Sequence, residues 1–376
     1  MSPSGRHGRH ADSALTAAGM PAPGALDRAL RVLERPGRAW AALLFAIALV
    51  LLALRRVTLG GYPTYLGKYY AMLATDPFHP AADNPVGHRI LAPLLSWLLG
   101  LRGPYLLYTD LLVVLALLAA AYLWLRGRGH APLWAVVGAS PLALSMVALT
   151  TLHYGGYPDT LTYLLVFGAW WARGRLGASC LLFLLAMLSH ESAIVLAPWL
   201  LIVLAQAGAA GPRGAWRAAA GLAVTLLVFV GLRMLGERLH PGVAYTMGFY
   251  LVPLRADPLH WFRESAPHRM LGIATAFNLY WLVPVLAAAR LAARGARADA
   301  ALLLLPIPCA LAQLFIAYDV TRMATLAFMS VLLGTEYLLR TDGFRARWWI
   351  LPLSVANFFI PQLNVAMGVV DRMGPR

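Results

Sequence analysis

The sequence is poor in charged residues and nearly free of lysine. Charged side chains make up 12% of the 376 residues, and Lys68 is the one lysine, whereas a typical soluble domain carries about 25% charged residues. Hydrophobic residues account for 60% of the chain, and its mean hydropathy is +0.67. This composition excludes an ordinary soluble protein and predicts a polytopic membrane protein.

Cysteine and acidic residues are also scarce. The two cysteines, Cys180 and Cys309, both fall in apolar segments, so neither a disulfide framework nor a cysteine metal site is indicated. The chain has 16 acidic and 31 basic residues, which gives a net charge of +15. Because the arginines concentrate in short loops between apolar runs, this charge fits membrane topology and contact with membrane lipids. We expect no nucleic-acid partner.

The apolar runs predict an all-α fold, a polytopic transmembrane helical bundle of about eleven spans. The positive-inside rule predicts a cytoplasmic N-terminus. We expect the chain to lie in the inner (plasma) membrane. Residues 1–37 are predicted to be a disordered basic tail, residues 38–370 a single membrane domain with outer loops at 55–104 and 236–270, and residues 371–376 a short tail. The predicted spans are 39–54, 105–125, 133–152, 157–172, 176–189, 192–207, 215–235, 271–293, 300–317, 323–339 and 348–367.

The most unusual apolar stretch is residues 176–207, because His190 and Glu191 lie in its middle. A single continuous span would put a carboxylate near the bilayer centre, which costs several kcal/mol. We therefore interpret the stretch as a hairpin of two short limbs that meet at Ser189–Ser192. An ionisable pair inside the membrane boundary is a candidate functional group, and its alternative is an apex hydrogen-bonded to neighbouring helices.

The first outer loop carries a second group of candidates. Its HRILAPLLSWL stretch is too short to span a membrane and predicts a re-entrant or interfacial helix. His88 and Arg89 begin that helix, and an arginine there can bind a phosphate through two hydrogen bonds or can anchor the helix at the interface. Asp76 and Asp83 are candidates for a general base or for ligands of a divalent cation such as Mg²⁺ or Mn²⁺; the alternative is a solvated loop aspartate.

The motif HYGGYPDT predicts a broken helix, because two glycines and a proline interrupt it. His153 and Tyr157 belong to this motif, and the tyrosine can stack on a sugar ring. Asp159 either faces a substrate or caps the helix that follows it. The freed backbone groups must be satisfied by protein or by cavity water.

Two remaining charge patterns bear on function. Asp319 and Arg322 in AYDVTR are spaced to form a salt bridge on one helical face, or to bind a phosphate together. The pair His190-Glu191 does not continue as HExxH, since Ile194 stands where the second histidine would be. No metal site is therefore predicted from spacing.

Four stretches of this chain resemble a known group of membrane proteins: HRILAPLLSWL, YPDTLTYLL, SHESAIVLAP and YDVTR. With the cytoplasmic N-terminus, the anchor and the long first loop, the chain resembles the GT-C superfamily of polytopic membrane glycosyltransferases, or related uncharacterised bacterial multi-pass proteins. The resemblance implies sugar transfer from a polyprenyl-phosphate carrier on the outer face. It also implies a catalytic acid in the first loop, by position Asp76 or Asp83. The paired acids often found soon after the first span in that superfamily are replaced here by RRVTLGGYPTY.

The leading hypothesis is an inverting glycosyltransferase in which Asp76 or Asp83 is the base. In that hypothesis Arg89 and Arg322 neutralise the carrier phosphate, while His190, Glu191 and Asp159 orient the sugar or support the base. A transporter or flippase of a lipid-linked or small solute is one alternative. A membrane polysaccharide polymerase or hydrolase is another. The sequence leaves the sugar, the acceptor, any metal requirement and the oligomeric state open.

Overall fold

The computed structural model describes residues 25–374, except residues 60–62, 64, 80, 82–83, 209–211, 240–245, 318, 342 and 367. This part of the chain is mostly helical. The α-helices are α1 Ala25–Leu33, α2 Arg38–Ala53, α3 Gly67–Thr75, α4 Leu91–Leu98, α5 Leu106–Gly127, α6 Pro132–Ala143, α7 Met146–His153, α8 Asp159–Trp171, α9 Leu176–Ser189, α10 Ala197–Ala207, α11 Pro212–Leu239, α12 Met247–Ala256, α13 His260–Glu264, α14 Arg269–Phe277, α15 Leu282–Ala293, α16 Arg297–Leu304, α17 Pro306–Ala312, α18 Val320–Thr325, α19 Phe328–Thr341 and α20 Gly343–Phe359. Short 3₁₀ turns are Gly103–Tyr105, Glu191–Leu196, Asn278–Trp281 and Gln313–Phe315. Strands β1 Leu363–Ala366 and β2 Val369–Arg372 form one antiparallel hairpin.

The protein is an all-α membrane protein, but the predicted count of about eleven spans is not supported. Among the described residues, four helices are long and apolar enough to cross a membrane: Gly103–Gly127, Pro212–Leu239, Arg269–Ala293 and Arg297–Phe315. The bent pair α6–α7 makes a fifth if it is counted as one span. The other predicted spans are too short: at a rise of 1.5 Å per residue, the 13 residues of α8 reach about 20 Å, against a hydrocarbon core of about 30 Å.

Two predicted spans are interrupted. The predicted span 133–152 bends by 56° between α6 and α7. This bend frees the carbonyl of Leu144, which accepts hydrogen bonds from the buried Arg56 guanidinium and from the amide of Asn357. The predicted span 323–339 is likewise divided into α18 and α19. A bent helix in lipid requires internal partners of this kind for its freed backbone groups.

The segment 176–207 forms a hairpin, as the sequence predicted. His190 adopts an extended conformation between α9 and the 3₁₀ turn that precedes α10. Leu176 and Cys180 lie against Gly221 of α11, whereas Glu191 approaches Arg233 further along the same helix. The far end of α10 returns to the start of α11 through a short connection. Helix α9 therefore runs parallel to α11, and α10 runs antiparallel to it.

The first long loop, which the sequence predicts to face outward, packs onto the interior of the bundle. The predicted surface helix is present as α4, and the loop also contains α3, which the sequence did not predict. Gly67 at the start of α3 lies so close to Gly155 that a Cβ on Gly67 would be 2.0 Å from the Gly155 carbonyl oxygen. Only a glycine allows this approach. The loop is thereby fixed above the break in HYGGYPDT.

The C-terminal region differs from its prediction. The predicted span 348–367 ends at Phe359, and the chain continues as the β1–β2 hairpin through Arg372. Val365 in β1 contacts Gly272 of α14 and donates its N–H to the Thr321 hydroxyl of α18. The hairpin therefore covers the same end of the bundle as the first loop, since Thr58 donates a backbone hydrogen bond to Met373. Helix α1 lies within the predicted tail, of which residues 1–24 are outside the described part.

Candidate functional site

Arg89 joins the first outer loop to the apex of the hairpin. Its guanidinium binds both carboxylate oxygens of Glu191, through Nε to Oε2 at 2.7 Å and through a second, shorter bond to Oε1. A third donor of the same side chain reaches the Tyr70 hydroxyl at 2.9 Å. The Arg89 side chain is 6% exposed. A bidentate pair of this geometry is among the stronger polar contacts in proteins and fixes both segments relative to each other.

Glu191 is the centre of a wider set of charges. Arg233 of α11 lies 3.8 Å from its carboxylate and also binds Glu237 at 2.9 Å. The His88 ring nitrogen Nε2 lies 3.6 Å away. Burial lowers the pKa of His88 from 6.5 to about 4, so this imidazole is neutral at physiological pH.

Arg322 is the centre of a second set. Its Nε and one terminal nitrogen bind the Asp159 carboxylate at 2.9–3.2 Å. The other terminal nitrogen donates to Asp319 at 2.8 Å. The guanidinium also stacks on the Tyr157 ring, 4.5 Å from its centroid. The salt bridge that the spacing of Asp319 and Arg322 allows is present. Asp159 is not the N-cap of the following helix: Pro158 holds that position, and the Asp159 carboxylate binds Arg322 instead.

His190 connects the two sets. Its Nε2 lies 3.5 Å from the Arg322 guanidinium. Its Nδ1 is hydrogen-bonded to the Ser192 hydroxyl at 2.5 Å and lies 4.0 Å from Glu191. The extended backbone at His190 allows this placement, because it ends α9 and turns the ring into the bundle. Three arginines and four carboxylates therefore form one network, which we call the ion-pair network: Arg89, Arg233, Arg322, Asp159, Glu191, Glu237 and Asp319.

An aromatic surface borders the ion-pair network. Tyr157 packs against Tyr154 with ring centroids 5.6 Å apart, and Tyr154 packs in turn against Tyr65 and His153 at 5.9 and 4.7 Å. Tyr65 is 70% exposed, so this surface reaches the outside of the described structure. The His153 ring binds the carbonyl of Thr58 in the first loop at 2.9 Å. Aromatic faces beside carboxylates are suited to a sugar, which presents apolar C–H faces and hydroxyl groups.

The terminal β-hairpin contributes polar groups to this surface. The Tyr154 hydroxyl donates to Asp371 of β2 at 2.5 Å and accepts from the Asn364 amide of β1 at 3.2 Å. Within the described residues, the buried atoms Asn364 Oδ1 and Asp319 Oδ1 have no hydrogen-bond partner. Both ring nitrogens of His88 share this property. Buried polar atoms without partners are rare in native proteins and indicate a place for water or a polar ligand.

The break in HYGGYPDT is held by a buried carboxylate. Asp110 of α5 accepts a 2.9 Å hydrogen bond from the freed N–H of Gly156. Gly156 adopts φ +93°, and a Cβ there would be 2.8 Å from the Gly67 backbone. The freed backbone group is thus satisfied by protein, as the motif required.

The structure brings most of the predicted site residues together. Eight lie in the ion-pair network or in direct contact with it: His88, Arg89, Tyr157, Asp159, His190, Glu191, Asp319 and Arg322. His153 lies on the aromatic surface. Asp76 does not join them among the described contacts, since its exposed carboxylate binds the backbone N–H groups of Phe78 and His79 and the His79 ring. Asp83 lies outside the described residues.

Several residues of the site were missed by the sequence analysis. They are Tyr70, Arg233, Glu237, Asn364 and Asp371. Arg233 carried a usable signal, because it is an arginine within a long apolar helix with an acid four residues later. The two hairpin residues carried none, because strand pairing was not predicted there. Over the described residues, no group of three or more His, Cys, Asp or Glu is arranged to hold a metal ion.

Comparison with solved structures identifies a similar fold. The crystal structure of the Archaeoglobus fulgidus oligosaccharyltransferase in the apo form matches with a TM-score of 0.50 and 11% sequence identity. The match covers 91% of this chain and 57% of that one, so this chain spans little more than half the length of the protein it resembles. A second crystal structure of that oligosaccharyltransferase, tethered to an acceptor peptide, has a TM-score of 0.46 and 11% identity over 84% and 55% of the chains. At this identity the likeness shows the fold alone. No protein-family model and no curated protein matches the chain.

Proposed function

We propose that this protein is a membrane glycosyltransferase that takes its sugar from a polyprenyl-phosphate donor at the outer face of the plasma membrane. The observation that carries this proposal is the position of Arg322 and Asp319 at the point where the ion-pair network borders the aromatic surface. Arg322 supplies a buried cation for a phosphate, and Asp319 supplies a carboxylate beside it. The tyrosines supply a platform for the sugar. The GT-C-like fold supports the same class of reaction by analogy.

The charge balance assigns different roles to the two predicted phosphate-binding arginines. Arg89 is fully engaged by Glu191 and Tyr70, so we propose that it positions the first loop against the hairpin apex. Arg322 has five N–H groups. Its Nε and one terminal nitrogen bind Asp159, and the other terminal nitrogen binds Asp319 through one N–H. The second N–H of that nitrogen has no partner among the described residues. That N–H is available to an oxygen of the donor phosphate, the leaving group of the transfer.

We propose Asp319 as the base that accepts the proton of the acceptor hydroxyl. One of its oxygens is held by Arg322, and the other has no partner among the described residues. A positioned general base contributes about 10²–10⁴-fold to a rate. Asp76 and Asp83 stay as first-loop alternatives for this role, and substitution decides between them.

The experiment is a transfer assay with purified protein in proteoliposomes, supplied with radiolabelled polyprenyl-phosphate sugars and an envelope extract as acceptor. We expect Asp319→Asn and Arg322→Gln each to lower the rate by about 10² or more. The control is Asp257→Asn, which changes an outer-loop carboxylate bound by Arg263 and should leave the rate unchanged. Full activity of both site variants would overturn the proposed site. Loss of activity in Asp76→Asn or Asp83→Asn instead would assign the base to the first loop.

A transporter or flippase predicts a different result in the same vesicles. It would move the labelled lipid between leaflets without forming a labelled product. Sugar appearing in the acceptor therefore separates the two classes of function. Translocation without transfer would contradict the proposal.

A further inference from the structure

Three arginines lie at the end of the bundle opposite to Arg322. Arg128 follows α5, Arg173 follows α8, and Arg340 lies in the last turn of α19. Helix α8 begins at Asp159, which binds Arg322, and its 13 residues place its far end about 20 Å from that site. The sequence predicts that this far end faces the cytoplasm, because arginines concentrate in the short loops there.

Arg128 and Arg340 meet at one buried carboxylate. Glu336 lies 3.1 Å from the first and 3.4 Å from the second, and its side chain is 7% exposed. The two arginine side chains are 42% and 50% exposed, and no described residue accepts a hydrogen bond from their terminal nitrogens. The Nε2 atom of the buried His130 lies 3.8 Å from the same carboxylate and also has no hydrogen-bond partner among the described residues. Several nitrogen groups therefore converge on a single carboxylate.

Arg173 brings a third guanidinium to the same place. Trp124 in the last turn of α5 packs on Trp170 near the end of α8, with ring centroids 5.2 Å apart, and Arg173 stacks on the Trp170 ring at 4.5 Å. Burial and the nearby charge of Arg128 both lower the pKa of the Arg173 guanidinium. Arg173 donates to the Trp170 carbonyl and has no carboxylate partner among the described residues. We call Arg128, Arg173 and Arg340 the basic cluster.

We propose that the basic cluster binds the phosphate of an anionic phospholipid such as phosphatidylglycerol. Its three positive charges meet the single carboxylate of Glu336 among the described residues, so the cluster favours a headgroup with a net negative charge. A zwitterionic lipid offers the same phosphate but brings an ammonium group toward the arginines, which repel it. Trp171 beside the cluster is 46% exposed, as is typical of a tryptophan at the membrane–water interface. Basic pockets between helices at a cytoplasmic membrane surface bind anionic headgroups by this charge complementarity.

The test uses two photoreactive lipids with identical acyl chains, a phosphatidylglycerol and a phosphatidylcholine, each with a diazirine near the glycerol backbone. Each is added at a low fraction to the full chain in phosphatidylcholine nanodiscs, and mass spectrometry locates the adducts. We expect the phosphatidylglycerol probe to label the ends of α5, α8 and α19 about 25-fold more, about fivefold for each positive charge without a carboxylate partner. Equal labelling by the two probes would overturn the proposal, and this comparison needs no variant.

Arg173→Gln is the most direct variant, because it leaves no buried carboxylate without its partner. It should lower phosphatidylglycerol labelling of the three helix ends about fivefold and leave phosphatidylcholine labelling unchanged. The matched control is Arg102→Gln, since Arg102 also stacks on a tryptophan, Trp97 at 5.3 Å, but lies in the first long loop. Equal loss in both variants, or no loss in Arg173→Gln, would contradict the site.

Inorganic phosphate provides the last arm of the test. A lipid site also requires the acyl chains to lie against the helices, so added phosphate should leave the labelling of the helix ends unchanged. Displacement of the phosphatidylglycerol probe by inorganic phosphate, with sulfate as the control anion, would assign the basic cluster to the free ion and contradict a lipid site. The proposal does not depend on the proposed sugar transfer, because none of its residues contacts Arg322 or Asp319.

Discussion

The contact between Arg89 and Glu191 gives the most quantitative prediction, because it joins the first loop to the hairpin apex. The Arg89 side chain is 6% exposed, and both Glu191 oxygens are bound. Removing one partner of a buried ion pair leaves an uncompensated charge and costs about 3–5 kcal/mol of unfolding free energy. Arg89→Gln and Glu191→Gln should each destabilise the protein by an amount in this range.

The two substitutions should not be equal. Arg89→Gln leaves Glu191 with Arg233 at 3.8 Å, so the carboxylate keeps part of its compensation. Glu191→Gln removes the carboxylate that Arg89 and Arg233 share, although Arg233 keeps Glu237 at 2.9 Å. We therefore expect Glu191→Gln to be the more destabilising change.

The assay is thermal unfolding in detergent for both single variants and the double variant. The double variant should be less destabilised than the sum of the two, with a coupling of about 2–3 kcal/mol, since the second change removes an already unpaired charge. The matched control is the exposed pair Asp257 and Arg263, for which we expect no measurable coupling. Additive effects at Arg89 and Glu191 would refute the proposed joint between loop and hairpin.

Two further predictions concern the same end of the molecule. Gly67→Ala should prevent the first loop from docking, because its Cβ would lie 2.0 Å from the Gly155 carbonyl oxygen. We therefore expect its unfolding temperature to fall. The control Gly177→Ala, which has no atom near its Cβ position, should leave the unfolding temperature unchanged or raise it. Stability should also decrease when the pH is lowered below about 6.5, because burial lowers the His88 pKa from 6.5 to about 4. Between these values the unfolded chain binds a proton that the folded chain excludes, at a cost that reaches about 3 kcal/mol near pH 4. His88→Gln should reduce this dependence in pH-resolved unfolding, while the exposed His79→Gln should not; an unchanged slope in His88→Gln would contradict the buried neutral state.

The sequence predicted the gathering of polar residues better than it predicted the helices. Hydrophilic side chains inside apolar segments are costly, so His190, Glu191 and Arg322 could be identified from their surroundings alone. The same argument applied to Arg233, which lies in α11, and was not used there. The aspartates of the first loop carried no such signal, since a solvated aspartate has no cost, and Asp76 indeed lies exposed with partners in its own loop.

The number of spans could not be read from hydropathy. An apolar run shows that a segment is buried, but it does not show whether lipid or protein surrounds it. Helices such as α8, α9 and α10 are apolar and too short for a bilayer, and α9 and α10 pack along α11. The bend between α6 and α7 depends on Arg56 and Asn357, which lie far from it in sequence. Strand β1 was likewise assigned to a span, because it continues an apolar run.

The account depends on the proposal that Arg322 binds the donor phosphate while Arg89 and Glu191 hold the first loop in place. The most direct measurement is a cryo-electron microscopy map of the protein in nanodiscs with a non-hydrolysable polyprenyl-phosphate sugar. The account predicts phosphate density within hydrogen-bond distance of the Arg322 guanidinium, the sugar against Tyr157, and an intact Arg89–Glu191 pair. Phosphate density on another face of the bundle, or Arg322 and Arg89 separated from their carboxylates with no shared chamber between them, would contradict it.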